Sequence, residues 1–86
     1  MANEFGELSK EEKQADKRAF GKKIGLVIKD ARISKGMTQD EVADGAGLYR
    51  TYVGFIEKGV YSPSVYTIMK IAKALDTKLS DLLKGL

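Results

Sequence analysis

The sequence predicts an all-α fold: a compact bundle of about five short helices with a central helix-turn-helix. Apolar residues recur at three- and four-residue spacing in successive short segments, each bounded by glycine, proline or a small capping residue, and no segment has the alternation of a strand. The stretch 37–59, MTQDEVADGAGLYRTYVGFIEKG, packs two such segments around a glycine-marked turn.

Residues 1–18 read as a charged arm. Ser9-Lys10-Glu11-Glu12 is a capping-box pattern that can start a short helix through Ala15 and Arg18; the other reading of the arm is disorder. A solvated extension is favoured over an arm that embraces DNA, because its acids would be repelled by phosphates. The folded domain spans 19–86. From Phe20, the residues Ile24, Val27 or Ile28, and Ala31 make a first scaffold helix that stops at Lys35-Gly36. Gly21 and Gly25 each weaken that helix by up to about 1 kcal/mol against alanine, so both mark close approach of a neighbouring helix.

Thr38, followed by Glu41 at the third helical position, forms a second capping box, and Val42, Ala43 and Ala46 supply a buried side. Gly47 ends this helix and Leu48 fills the turn. In the next helix Val53 and Ile56 share one face, while Arg50, Thr51, Gly54, Phe55 and Lys58 project to the others, and Gly59 closes it. Two short helices with a polar outer face on the second suit insertion into a groove of DNA, although a hairpin that merely packs has the same spacing. After Val60-Tyr61-Ser62-Pro63-Ser64, a fourth helix buries Ile68, Ile71, Ala72 and Leu75. Ser80 is placed to cap a last turn carrying Leu79, Leu82 and Leu83.

Composition narrows the function classes. Eighty-six residues make one small domain, and a hydrophobic content of 43% supports a modest core that a dimer interface would supplement. Net charge is +3: the arm holds four basic and five acidic residues, and 19–86 holds eleven and seven. That surplus is compatible with attraction to nucleic acid but does not establish it. Cysteine and histidine are absent, which removes disulfides, the usual metal ligand sets and most nucleophilic or general-base constellations; no cofactor and no metal is expected. Asp40, Glu41 and Asp44 read as a solvated helix face rather than as tuned acids. The amino terminus lacks the apolar run of a signal peptide and no stretch reaches membrane-spanning length, so a cytoplasmic protein with no membrane partner is expected.

The ordered types Gly36-x-Thr38-Gln39, Ala43, Ala46-Gly47, Arg50-Thr51-Tyr52-Val53 and Ile56-Glu57-Lys58-Gly59 resemble the lambda-repressor-like, Xre-type helix-turn-helix family. Phe20-Gly21-Lys22-x-Ile24 with Arg32 resembles the family's first helix and Pro63-Ser64 with Ile68 and Ile71 to Leu75 its fourth, so about three quarters of the chain is covered. Arg-Thr-Tyr opening the recognition helix is similar to controller proteins of restriction-modification systems; antitoxins and phage repressors share much of the pattern. The resemblance implies a transcriptional regulator that binds a near-palindromic operator as a homodimer, with double-stranded DNA and, for a controller, RNA polymerase as partners. A protein-binding adaptor or antitoxin on the same scaffold, gripping its partner through Tyr49, Tyr52 and Phe55, is the alternative.

Site residues follow from the resemblance position by position. Thr38 and Gln39 fall where the family meets DNA at the start of its second helix, Gln39 as a phosphate clamp that sets register. Arg50 is the expected base reader, able to bond both acceptors of a guanine edge. Thr51 can donate to base or phosphate and offer a methyl to thymine. Tyr52 has a hydroxyl for phosphate and a ring that can rest on the scaffold instead. Lys58 and Tyr61 are expected at the backbone. Tyr49 stands where the family usually has a short capping side chain, leaving either a weaker helix start or a sugar or phosphate contact. Phe55 stands where the family is usually polar; a thymine methyl is favoured over the arm or another subunit as its partner. Arg32 and Glu57 match a structural ion pair, and Leu83 and Leu86 are assigned to a dimer contact.

Overall fold

The computed structural model describes residues 9–86, and the arm's first eight residues lie outside them. Five helices follow one another: α1 (Lys10–Ser34), α2 (Gln39–Ala46), α3 (Arg50–Glu57), α4 (Val65–Ala74) and α5 (Leu79–Lys84). No strand occurs among the described residues.

Local chemistry sets most of the helix boundaries. Ser9 caps α1 through a full capping box: its hydroxyl accepts from the Glu12 amide while the Glu12 carboxylate accepts from the Ser9 amide, both at 3.1 Å. Thr38 and Glu41 repeat the device at α2, at 3.1 and 2.9 Å. Ser64 caps α4, with Pro63 buried just before it. Gly47 and Gly59 take φ of 68° and 78°, left-handed values that let the chain turn out of α2 and α3 without a Cβ clash.

Two boundaries differ from the sequence reading. The arm and the first scaffold helix are one continuous helix, α1, with no break at 18–19, because the Ser9 cap starts a run that contains no breaker strong enough to stop it. At α5, Lys78 occupies the N-cap position without a side-chain bond, and Ser80 lies inside the helix. Asp76, at φ 52°, already turns the chain after α4, so α5 starts earlier than a Ser80 cap would place it.

The core gathers one stripe from each helix: Ile24 and Ile28; Val42, Ala43 and Ala46; Val53 and Ile56; Ile68, Ile71, Ala72 and, just past α4, Leu75; and Leu82. Every apolar position assigned to a buried stripe of α2, α3 and α4 is there, and at the open choice in α1 Ile28 is fully buried while Val27 packs at the margin. Leu79 packs against the core, whereas Leu83 and Leu86 stay exposed.

The glycines of α1 explain how α3 is seated. A Cβ at Gly25 would run into the Ile56 carbonyl oxygen and lie 2.9 Å from that of Glu57; at Gly21 it would lie 3.3 Å from the Tyr61 carbonyl oxygen. Lacking these carbons, α1 lies directly against the end of α3 and the loop beyond it.

Candidate nucleic-acid interface

With Val53 and Ile56 facing the core, the remaining faces of α3 are forced outward. Arg50, Thr51, Phe55 and Lys58 are exposed, and together with Gly54 and Gln39 of α2 they line one shallow groove. Six residues singled out from the sequence therefore share a single surface. Tyr49, before α3, is 86% exposed and makes no side-chain cap bond.

The groove rests on a buried carboxylate. Glu57 is only 6% exposed, yet it accepts from Arg32 Nε at 2.7 Å and Nη2 at 3.0 Å, and from Gln39 Nε2 at 3.0 Å. Arg32 also donates to the Met37 carbonyl at 2.8 Å. One carboxylate thus joins α1, α2 and α3, and the two-pronged guanidinium contact fixes its orientation. The hydrogen bond to Glu57 raises the Arg32 pKa above its ordinary value against the opposing effect of burial, so the guanidinium stays charged. No buried side-chain polar atom among the described residues is left without a partner.

Gln39 is consequently not a free clamp. One of its amide hydrogens is committed to Glu57, which holds the side chain over Gly54, where a Cβ would meet its Oε1 at 3.5 Å. A second amide hydrogen remains for a phosphate. Thr38, exposed at the same helix start, has its hydroxyl oxygen engaged in the cap.

The sequence reading contains neither the Gln39–Glu57 bond nor the contacts of Arg50 and Tyr61. Arg50 Nε lies 3.4 Å from Asp40 Oδ1, with both side chains largely exposed, so the expected base reader is paired across the α2–α3 notch. No pattern of local spacing links residues ten apart on separate helices. Tyr61 stands between two rings, 5.6 Å from Tyr52 and 5.7 Å edge-on from Phe55. Offset and edge contacts of this kind are favourable for aromatic quadrupoles, and they give the outward Phe55 a neighbour within the same chain. Gly59 was the available signal, since its turn folds 60–61 back toward α3.

Residues 28–82 match the family model described as Helix-turn-helix, HTH_3, which spans α2 to α4 and the parts of α1 and α5 that hold them. The chain belongs to the HTH_3 helix-turn-helix family. It is 44% identical over 60 residues to the ImmF control region 10 kDa protein of Bacillus phage phi105, covering 70% of this chain and 67% of that one. It is 40% identical over 61 residues to the control protein C.BamHI of Bacillus amyloliquefaciens, covering 70% and 75%. The restriction-modification controller protein C.AhdI of Aeromonas hydrophila superposes with a TM-score of 0.71 at 38% identity, over 74% of this chain and 97% of that one. As an HTH_3 member the chain is a DNA-binding transcriptional regulator and not an enzyme. Among the described residues no helix is long and apolar enough to cross a membrane.

Proposed function

We propose that this HTH_3 protein is a sequence-specific regulator that binds a near-palindromic operator as a homodimer, in the manner of a restriction-modification controller. The groove formed by Gln39, Arg50, Thr51, Gly54, Phe55 and Lys58 carries the reading. Arg50 reads a guanine edge, Thr51 reads a neighbouring base or phosphate, and Phe55 packs on a thymine methyl. Thr38, Gln39, Tyr49, Tyr52, Lys58 and Tyr61 hold the sugar-phosphate backbone and so fix register. Leu83 and Leu86, each 42% exposed at the chain's end, supply apolar surface for the second copy. Two recognition helices of such a dimer must meet major grooves about 34 Å apart, which is why the half-sites are expected to mirror one another. RNA polymerase is a further partner where the bound site lies beside a promoter.

The adaptor reading draws on exposed aromatics, and Gln39, Arg50 and Lys58 lining the same groove favour phosphates and bases over a protein surface. Selection of duplexes from a random pool, followed by gel shifts at two salt concentrations, tests the proposal. A symmetric motif bound with steep salt dependence is expected; binding without sequence preference or salt dependence would sink it.

A further inference from the structure

The unbroken α1 puts basic residues of the arm beside the loop that follows α3. Gln14, Lys17 and Arg18 face Gly59, Val60 and Ser62 across a shallow groove. One turn farther along, Gly21 touches the loop backbone and Lys22 backs Gly59, whose added Cβ would lie 2.9 Å from Lys22 Cγ. Lys58, at the end of α3, immediately precedes Gly59. Lys58, Lys22, Arg18 and Lys17 are all exposed: Lys58 lines the reading groove, Lys22 lies against Gly59, and Lys17 and Arg18 line the groove that Gly59 shares. The loop itself, 60–64, contains no cation.

Helical geometry also turns most of the bases of the arm's described part toward the loop. At about 100° per residue, Lys10, Gln14, Lys17 and Arg18 fall on the side of α1 that carries Gly21 and Gly25, while Glu12 and Asp16 fall roughly opposite. Glu11 shares the loop side but sits about two turns beyond Arg18. Of the arm's acids among the described residues, Glu12 and Asp16 are therefore turned away from the surface in question, and Glu11 is not. From Lys10 to Ala19 every residue except Glu12 is exposed, so this stretch is not held by the bundle's core.

We propose that the loop-facing side of the α1 extension, chiefly Lys17 and Arg18, binds the DNA phosphates that flank each half-site. The inference rests on the DNA-reading function proposed above. Its occupant follows from charge and continuity: the surface is cationic, it adjoins the reading groove through Lys58 and Lys22, and it supplies charge where the loop has none. The extension precedes residue 28, where the match to the family model begins, so it adds to the shared domain.

The test uses the full chain and a duplex recovered by selection, in a long form with flanking base pairs and a form trimmed to the two half-sites. The double substitution Lys17→Gln, Arg18→Gln is compared with Lys73→Gln, Lys78→Gln, which removes the same charge from a groove at the far end of the molecule. Affinity is measured against salt. Each lost phosphate contact should lower the slope of log K against log salt by about 0.9, hence by about 2 per protomer for the first pair and by nothing for the second. Base preference should be unchanged, and trimming should weaken the wild type more than the Lys17/Arg18 variant, with helix content verified by circular dichroism. A slope equal to wild type, or an equal fall in the Lys73/Lys78 control, overturns the proposal. So does a Lys17/Arg18 variant that loses self-association in sedimentation, since the surface would then serve a second copy. If the wild type shows no sequence preference, the reading function fails as well; if it does and only the comparison is flat, this inference alone fails.

Discussion

Glu57 carries two loads that pull in different directions. Burying a carboxylate is costly, and here the cost is offset by three charge-assisted or polar hydrogen bonds that also aim the groove. Removing one partner of such a pair strands the other charge, so Glu57→Ala should destabilise the protein by about 3 kcal/mol in urea unfolding, the low end of the buried-pair range because Arg32 is partly solvated. A loss under about 1 kcal/mol would mean that the pair behaves as a surface contact. Arg50 belongs to the opposite class, an exposed group proposed to read a base edge. Arg50→Ala should lose roughly 1 to 3 kcal/mol of binding at one base position and relax the choice there, with little change in stability. Equal weakening on every sequence would assign Arg50 to phosphate alone. The positions of both residues were legible through resemblance; the Asp40 and Gln39 partners were not, because they depend on how α2 and α3 cross.

At the scale of the helix, caps and glycines make separable predictions. The Thr38 amide and hydroxyl hold the Glu41 carboxyl below its ordinary pKa of 4.5. A carboxyl depressed in the folded state stabilises above its unfolded pKa, and that contribution fades as pH falls through the folded value. Glu41→Gln should therefore be less stable than wild type near neutral pH, and the gap should close as pH is taken down through the lowered pKa of the folded carboxyl. A gap that stays constant to the acid limit would contradict the charged cap. Gly54 and Gly25 should answer alanine differently. At Gly54 a Cβ meets Gln39 at an ordinary distance, so alanine should add about 0.5 to 1 kcal/mol of stability while weakening DNA binding if the duplex approaches that backbone. At Gly25 the methyl would meet two backbone carbonyls that cannot swing aside, and a loss of about 3 kcal/mol or failure to fold is expected by thermal melting. Sequence spacing foretold the helices and the close approach at Gly25 because both follow from local pattern. It did not foretell that the arm and scaffold fuse, since a capping box marks where a helix starts but not how far it runs.

The whole molecule has a core that one chain completes and an apolar end that it leaves open. Leu82 is buried while Leu83 and Leu86 face outward from the same short segment, in keeping with a sequence reading that sets only the last two aside for a contact outside the core. Leu83→Lys with Leu86→Lys should leave helix content intact, shift sedimentation toward the monomer, and abolish tight binding to a two-half-site duplex while sparing weak binding to one half-site. Retained dimers would place the contact elsewhere, for example on the exposed Val65, Tyr66 and Met69 of α4.

The unbroken course of α1 also has a calorimetric consequence. A tail that winds up on contact loses conformational freedom at that moment and adds a large negative heat-capacity change to association. Here the Ser9 and Glu12 bonds have already wound the first turns, and the backbone contact at Gly25 ties the same rod to the reading helix. Whatever residues 10–34 touch meets a shape set in advance, so titration calorimetry should yield a heat-capacity change to which the winding of that helix adds nothing.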